Sequence, residues 1–172
     1  MKWRYRLRQF IMRLRPYVDP ADRQAVCEVL PSPARALFEQ MPMGDQVHAL
    51  CVWRRVRQDA PGDIDLEQAA LLHDVGKSKG RISLAHRVAI VLLNALNPSW
   101  LKRLASDDVR SWRYSFYVHL KHAELGAVAC EQAGCPQQVV MLVRHHDAPE
   151  QAIGLLPYVN RLRVLRAADD RC

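Results

Sequence analysis

The stretch Leu71-Leu72-His73-Asp74-Val75-Gly76-Lys77 sets an imidazole and a carboxylate side by side at the end of an apolar helical run. Upstream, Leu66, Ala69, Ala70 and His73 recur at helical spacing, which puts His73 on the buried face. A single histidine on such a face is usually a hydrogen-bonded core residue. The adjacent Asp74 changes that reading. A buried carboxylate without donors or a cation costs several kcal/mol or takes up a proton. Imidazole plus carboxylate is also a standard ligand set for first-row transition metals.

Outward from this stretch, the chain reads as helices separated by proline and glycine breaks. Ala21 to Leu30 is expected as a helix opened near Asp19, and Pro33 opens another running to about Met41. Asp45 is expected to cap a helix from Gln46 to about Arg57 that carries His48. Asp65 and Gln68 resemble a capping box for the helix ending at His73-Asp74, with Gly76 as its left-handed stop. Residues 83–96 are strongly apolar and read as a buried helix, too short to span a bilayer. Trp100 to Tyr117 reads as a short helix and a lid-like connection. Helices follow from His119 to Gly134, from Gln137 to about His146, and from about Pro157 onward. No segment reads as a strand, so the fold class is all-α.

Composition supports one folded domain. The chain has 172 residues, 49% of them hydrophobic. No apolar run reaches the length of a membrane span, and no secretory signal is read at the basic N-terminus. Five cysteines (Cys27, Cys51, Cys130, Cys135, Cys172) show no CxxC pair and are expected as free, mostly buried thiols in a reducing cytoplasm. The formal net charge is +7, of which six positive charges precede Asp19: Lys2, Arg4, Arg6, Arg8, Arg13 and Arg15. Residues 1–20 therefore form a basic arm before a helical domain at 21–172. Within the arm, Trp3, Leu7, Phe10, Ile11 and Leu14 form an apolar stripe over residues 1–15. It fits weak contact with an anionic membrane surface, or packing on the domain with the arginines solvated. No motif for sequence-specific nucleic-acid binding accompanies it.

The chemistry-bearing residues are His48, His73-Asp74, His122, His145-His146 and Asp169, spread over separate helices. Histidines and two acids converging on a helical core are most simply satisfied by metal. His48, His73, Asp74 and Asp169 would make one site. His122 and His145, with or without His146, would make a second that shares Asp74. Two cations a few ångströms apart clamp the attacking and leaving oxygens of a phosphoryl displacement. Lys77 is placed to hold a phosphate oxygen as a point charge, or to neutralise the dipole at its helix end. His119, one turn before His122, competes for its position. His86 has no assigned role.

In order and spacing, these motifs resemble those of the HD superfamily of metal-dependent phosphohydrolases. Leu72 to Lys77 is similar to the HDIG-type central motif. His122-Ala123-Glu124-Leu125-Gly126-Ala127 is similar to the His-Pro-Glu-x-Gly-Ala stretch of HDIG and HD-GYP proteins, with alanine where proline is common. His145-His146-Asp147 resembles the double-histidine element, and Ala167-Ala168-Asp169-Asp170 the closing Ala-Asp element. The resemblance covers roughly residues 45–170, and the standing of His48 and Asp169 as ligands rests on it. It implies an HD-domain-like helical bundle with a central metal site and a metal-activated hydroxide acting on a nucleotide or similar phosphate ester. Asp74 and Lys77 would be its catalytic groups. Mixed ligation favours Fe, Mn or Co, with Mg or Zn as further candidates. Asp147-Ala148-Pro149-Glu150 lacks the Gly-Tyr-Pro element of the cyclic di-GMP-cleaving branch. The alternative is a non-catalytic nucleotide- or metal-binding signalling module. The expected location is the cytoplasm, with the inner membrane surface as a place of peripheral attachment.

Overall fold

The computed structural model describes residues 17–80, 82–154 and 156–172, and of Leu84 and Pro98 the backbone alone. The helices are α1 (Pro20–Val29), α2 (Ser32–Glu39), α3 (Met43–Asp59), α4 (Ile64–Leu72), α5 (Leu84–Leu96), α6 (Pro98–Leu104), α7 (Tyr114–Gln132), α8 (Gln137–His145), α9 (Glu150–Ile153) and α10 (Val159–Asp169). A 3-10 turn, Val75–Lys79, follows α4. Among the described residues there is no strand, so the fold is all-α. No helix among them is long and apolar enough to cross a membrane. The membrane-contact expectation for residues 1–15 lies outside the described residues. Val18, inside the arm expected over 1–20, is buried in the main core.

α4 is the central helix. Every residue from Leu66 to Leu72 is buried, as expected for a helix enclosed on all sides. Each fully buried leucine there contributes about 1.5–3 kcal/mol over its exposed state. Its two buried polar side chains are used as ties. Glu67 accepts a 2.8 Å hydrogen bond from the Trp53 indole of α3, and the Gln68 amide donates to the Val29 carbonyl of α1 at 2.9 Å. α3, α8 and α10 pack around α4, and Leu50, Val56, Val139, Leu142, Leu162 and Leu165 complete the core.

Several local expectations are corrected. α3 starts at Met43, with Pro42 at its N-cap, so Asp45 lies in the first turn. There it is buried and paired with Arg87 of α5 at 3.0 Å. α4 is capped by Asp63, whose carboxylate accepts from the Leu66 N–H at 3.2 Å, while Asp65 faces Arg161 at 3.8 Å. Gly76 is not left-handed; positive φ occurs at Gly62 and Gly134. What Gly76 supplies is the absence of a side chain. A Cβ there would stand 1.9 Å from the His122 carbonyl oxygen and 2.7 Å from the Gly126 nitrogen. The 3-10 turn is thereby pressed onto the middle of α7. Gly134, at φ 73°, ends α7 with Cys135 N–H returning to the Cys130 carbonyl at 3.0 Å.

The largest correction concerns α5. Its residues were expected to be core, yet Val88, Val91, Leu92 and Leu96 are each more than half exposed. Among the described residues the helix packs along one narrow side, where Ile90 meets Leu101 and Phe116 with Ala89 and Leu93 beside them. His86 closes its N-terminus by reciprocal bonds with Ser83.

Candidate metal centre

α4 ends at Leu72, with His73 as its C-cap, and the chain turns into the 3-10 segment at Asp74. That junction is the floor of the site. His73 and Asp74 are 1% and 3% exposed. α3 brings His48, α7 His122, the end of α8 His146 and the end of α10 Asp169.

These side chains fall into two groups. His48, His73 and Asp169 form one; Asp74, His122 and His146 form the other. Within each, the ligand atoms lie within 4.8 Å of one another. In the first, His48 Nε2 is 2.9 Å and His73 Nε2 3.8 Å from Asp169 Oδ1. In the second, His122 Nε2 and His146 Nε2 are 3.5 and 3.8 Å from Asp74 Oδ1. The other oxygen of Asp74, Oδ2, faces the first group, 3.5 Å from His73 Nε2 and 3.9 Å from His48 Nε2. Asp74 therefore lies between the groups and presents one oxygen to each.

Three of the histidines are held in the same way. His73 Nδ1 meets the Ala70 carbonyl at 2.9 Å, His122 Nδ1 the His119 carbonyl at 2.7 Å, and His146 Nδ1 the Val143 carbonyl at 2.7 Å. A carbonyl only accepts, so each Nδ1 carries the proton. Each Nε2 of a neutral ring then turns a bare lone pair inward. Burial keeps His122 and His146 neutral: it pushes the His146 imidazole down to about 3, helped by His73 and His122, and lowers His122 as well. Burial alone would raise the Asp74 carboxyl. His73, Lys77, His122 and His146 outweigh it and hold Asp74 far below the usual carboxylate range. Burial likewise opposes at Asp169, and the hydrogen bond from His48 together with the charges of His73 and His48 outweighs it, so Asp169 is also lowered.

This donor set fits a cation. His73 Nε2 is buried with no hydrogen-bond partner among the described residues. His122 Nε2 and His146 Nε2 face each other at 3.2 Å. With both protons on Nδ1, neither atom has a hydrogen to give the other. Ligands about 2.0–2.2 Å from a common ion stand about 3–4 Å apart, which is the separation found here. The side chains make a histidine–carboxylate cluster that could hold a metal ion.

Lys77 stands at the edge, a quarter exposed, with Nζ 2.6 Å from Asp74 Oδ2. His119 is in neither group; it stacks on His122 with ring centroids 6.1 Å apart. Burial, His122 and Lys77 lower its imidazole. His145 is not brought to the centre. Its ring lies 6.1 Å from that of Tyr158, on another side of the α8 terminus. The helical spacing already held this distinction, since His146 and not His145 continues the stripe Val139, Leu142, Val143.

The cysteines also depart from expectation. Cys51 and Cys172 form a disulfide. Cys27 is exposed, while Cys130 is buried and free. No spacing rule pairs residues so far apart in the chain.

The fold and the centre define an all-α protein with two adjoining side-chain groups that could each hold a metal ion, with Asp74 between them. Comparison of the chain with protein-family models, with characterised proteins and with solved structures finds no match.

Proposed function

We propose that the chain is a metal-dependent phosphohydrolase of the HD superfamily, HDIG-type, acting on a nucleotide or similar phosphate ester. One observation carries the reading: the two oxygens of the single carboxylate Asp74 face two separate ligand groups. His48, His73 and Asp169 would hold one ion and His122 and His146 the other, with Asp74 shared. Divalent cations at such sites supply Lewis acidity toward a phosphoryl group and lower the pKa of water. Fe, Mn or Co suit the mixed ligands best, with Mg or Zn as further candidates.

The chain's own part is orientation and charge. The carbonyls of Ala70, His119 and Val143 fix three imidazoles with Nε2 inward, so no ring has to reorient when a ligand enters. Burial removes competing water. Lys77, partly exposed beside Asp74, is the group placed to take a phosphate oxygen as a point charge. Action in the cytoplasm, with residues 1–15 resting on an anionic membrane surface, belongs to the same reading.

A second reading, a non-catalytic nucleotide- or metal-binding module, is favoured by one contact. Lys77 already neutralises Asp74 at 2.6 Å, so the buried acid has a partner without metal. Hydrolysis of a generic phosphodiester and a nucleotide panel with Mn²⁺ separates the two. Turnover that disappears in Asp74→Ala supports the enzyme. Binding without cleavage supports the module.

A further inference from the structure

Cys51 lies one helical turn beyond His48 on α3, and Cys172 lies one turn beyond Asp169 at the end of α10. The disulfide between them therefore closes one turn away from the 2.9 Å contact between His48 Nε2 and Asp169 Oδ1. We propose that the Cys51–Cys172 disulfide is a redox-controlled clamp on the first ligand group, holding Asp169 in place when oxidised and releasing it when reduced. This rests on the metal-centre reading above.

The clamp has a reason to act at this position. Asp169 is the most exposed member of the two groups, with 37% of its side chain in solvent. It stands at the last residue of α10, where helix ends fray. Leu165 and Ala168 hold the body of α10 in the core; beyond Asp169, the polar ties to α3 besides the disulfide are an exposed Arg171–Asp59 pair and a hydrogen bond to Cys172 itself. Exposed pairs contribute little. By contrast, His73, Asp74, His122 and His146 are buried and set by backbone carbonyls or core packing. Loss of the disulfide thus falls on one ligand group and spares the other.

A second observation bears on reactivity. Arg55 Nε stands 3.2 Å from Cys172 Sγ. A guanidinium beside a sulfur stabilises its thiolate and makes it the better leaving group. Both cysteines are partly exposed. An incoming dithiol reductant attacks Cys51 Sγ through one thiolate. The S–S bond breaks and its electron pair leaves on Cys172 Sγ, facing Arg55. The second thiol of the reductant then resolves the mixed disulfide and frees Cys51. Two electrons pass to the protein, and the reductant departs as its own disulfide. Disulfides in reducing compartments are mostly of this transient, sensing kind.

The test compares metal loading of the full chain in two states without oxygen. One sample keeps the disulfide. The other is reduced with a phosphine that is removed before Mn²⁺ or Fe²⁺ is added. Two metals per chain in the oxidised sample and one in the reduced sample are expected, with faster amide exchange over 159–172 after reduction. The double variant Cys51→Ser, Cys172→Ser should match the reduced sample and ignore the phosphine. Equal loading and equal exchange in both states overturn the clamp and leave the metal centre standing. No metal in either state overturns both.

Discussion

His122 Nε2 and His146 Nε2 lie 3.2 Å apart, and each ring already donates its one N–H, at Nδ1, to a backbone carbonyl behind it. Two lone pairs held in opposition repel unless a cation or a hydrogen-bond donor stands between them. That makes His146, rather than its neighbour, the partner of His122. His146→Ala should lose one metal per chain and at least about 10-fold in affinity, the lower end of what removing even a partner that supports a ligand costs. His145→Ala should keep full loading, since its ring stands by Tyr158. Metal titrations of the two variants check this, and the reverse pattern would reassign the centre.

Acid should destabilise the metal-free protein in a defined window. His146 binds a proton near pH 6.5 when unfolded and only near about 3 when folded. Between those values the unfolded chain holds more protons, so stability falls as pH drops. For this one group the slope is about 1.4 kcal/mol per pH unit. Asp74 and Asp169, also lowered, add to the loss below about pH 4. Above pH 6.5 these groups leave stability flat. Urea midpoints on chelator-treated protein from pH 8 to 4 measure it; a midpoint that holds steady down to pH 4 would mean that His146 is not buried and neutral.

Gly76→Ala is expected to be severe for a steric reason. The new Cβ meets the His122 carbonyl at 1.9 Å, and backbone has to move. Overpacking of this kind costs about 1–3 kcal/mol or more, and here it also shifts the residue that carries a ligand. Chemical denaturation should show the lower midpoint and metal analysis the loss at the His122 group. A variant of unchanged stability would rule out the close approach of the 3-10 turn to α7.

Lys77 separates charge placement from metal holding. In Lys77→Gln the two ligand groups are intact, so metal content should be retained. Turnover should fall about 10²-fold, the cost of removing one charge-stabilising donor. Steady-state kinetics on whichever phosphate ester is cleaved decide it. Loss of metal together with turnover would place Lys77 among the supports of Asp74 instead.

What the sequence reveals of the fold and the centre depends on the kind of signal. Helix periodicity places His73 and His146 inward, because it reports a face, and faces survive packing. It fails on α5, whose apolar residues Val88, Val91, Leu92 and Leu96 are as hydrophobic as a core and yet face outward. Composition says what a helix is able to bury, not how many neighbours reach it. The caps slipped for a local reason: Pro42 and Asp63 start their helices earlier than Asp45 and Asp65 suggest. Gly76 suggests a conformational need in the sequence but answers a steric one, which only the approach of α7 reveals. The Cys51–Cys172 bond joins residues 121 apart and has no local signature at all. The three carbonyls that orient His73, His122 and His146 are main-chain atoms, invisible in any pattern of side chains.

The most direct measurement is elemental analysis of the wild-type chain and Asp74→Ala, purified without oxygen and with the disulfide intact. Two first-row transition-metal ions per wild-type chain are expected, and none to one in a variant that stays helical. A folded wild-type chain that holds no metal even after incubation with Mn²⁺ or Fe²⁺ would contradict the centre and the hydrolase reading with it.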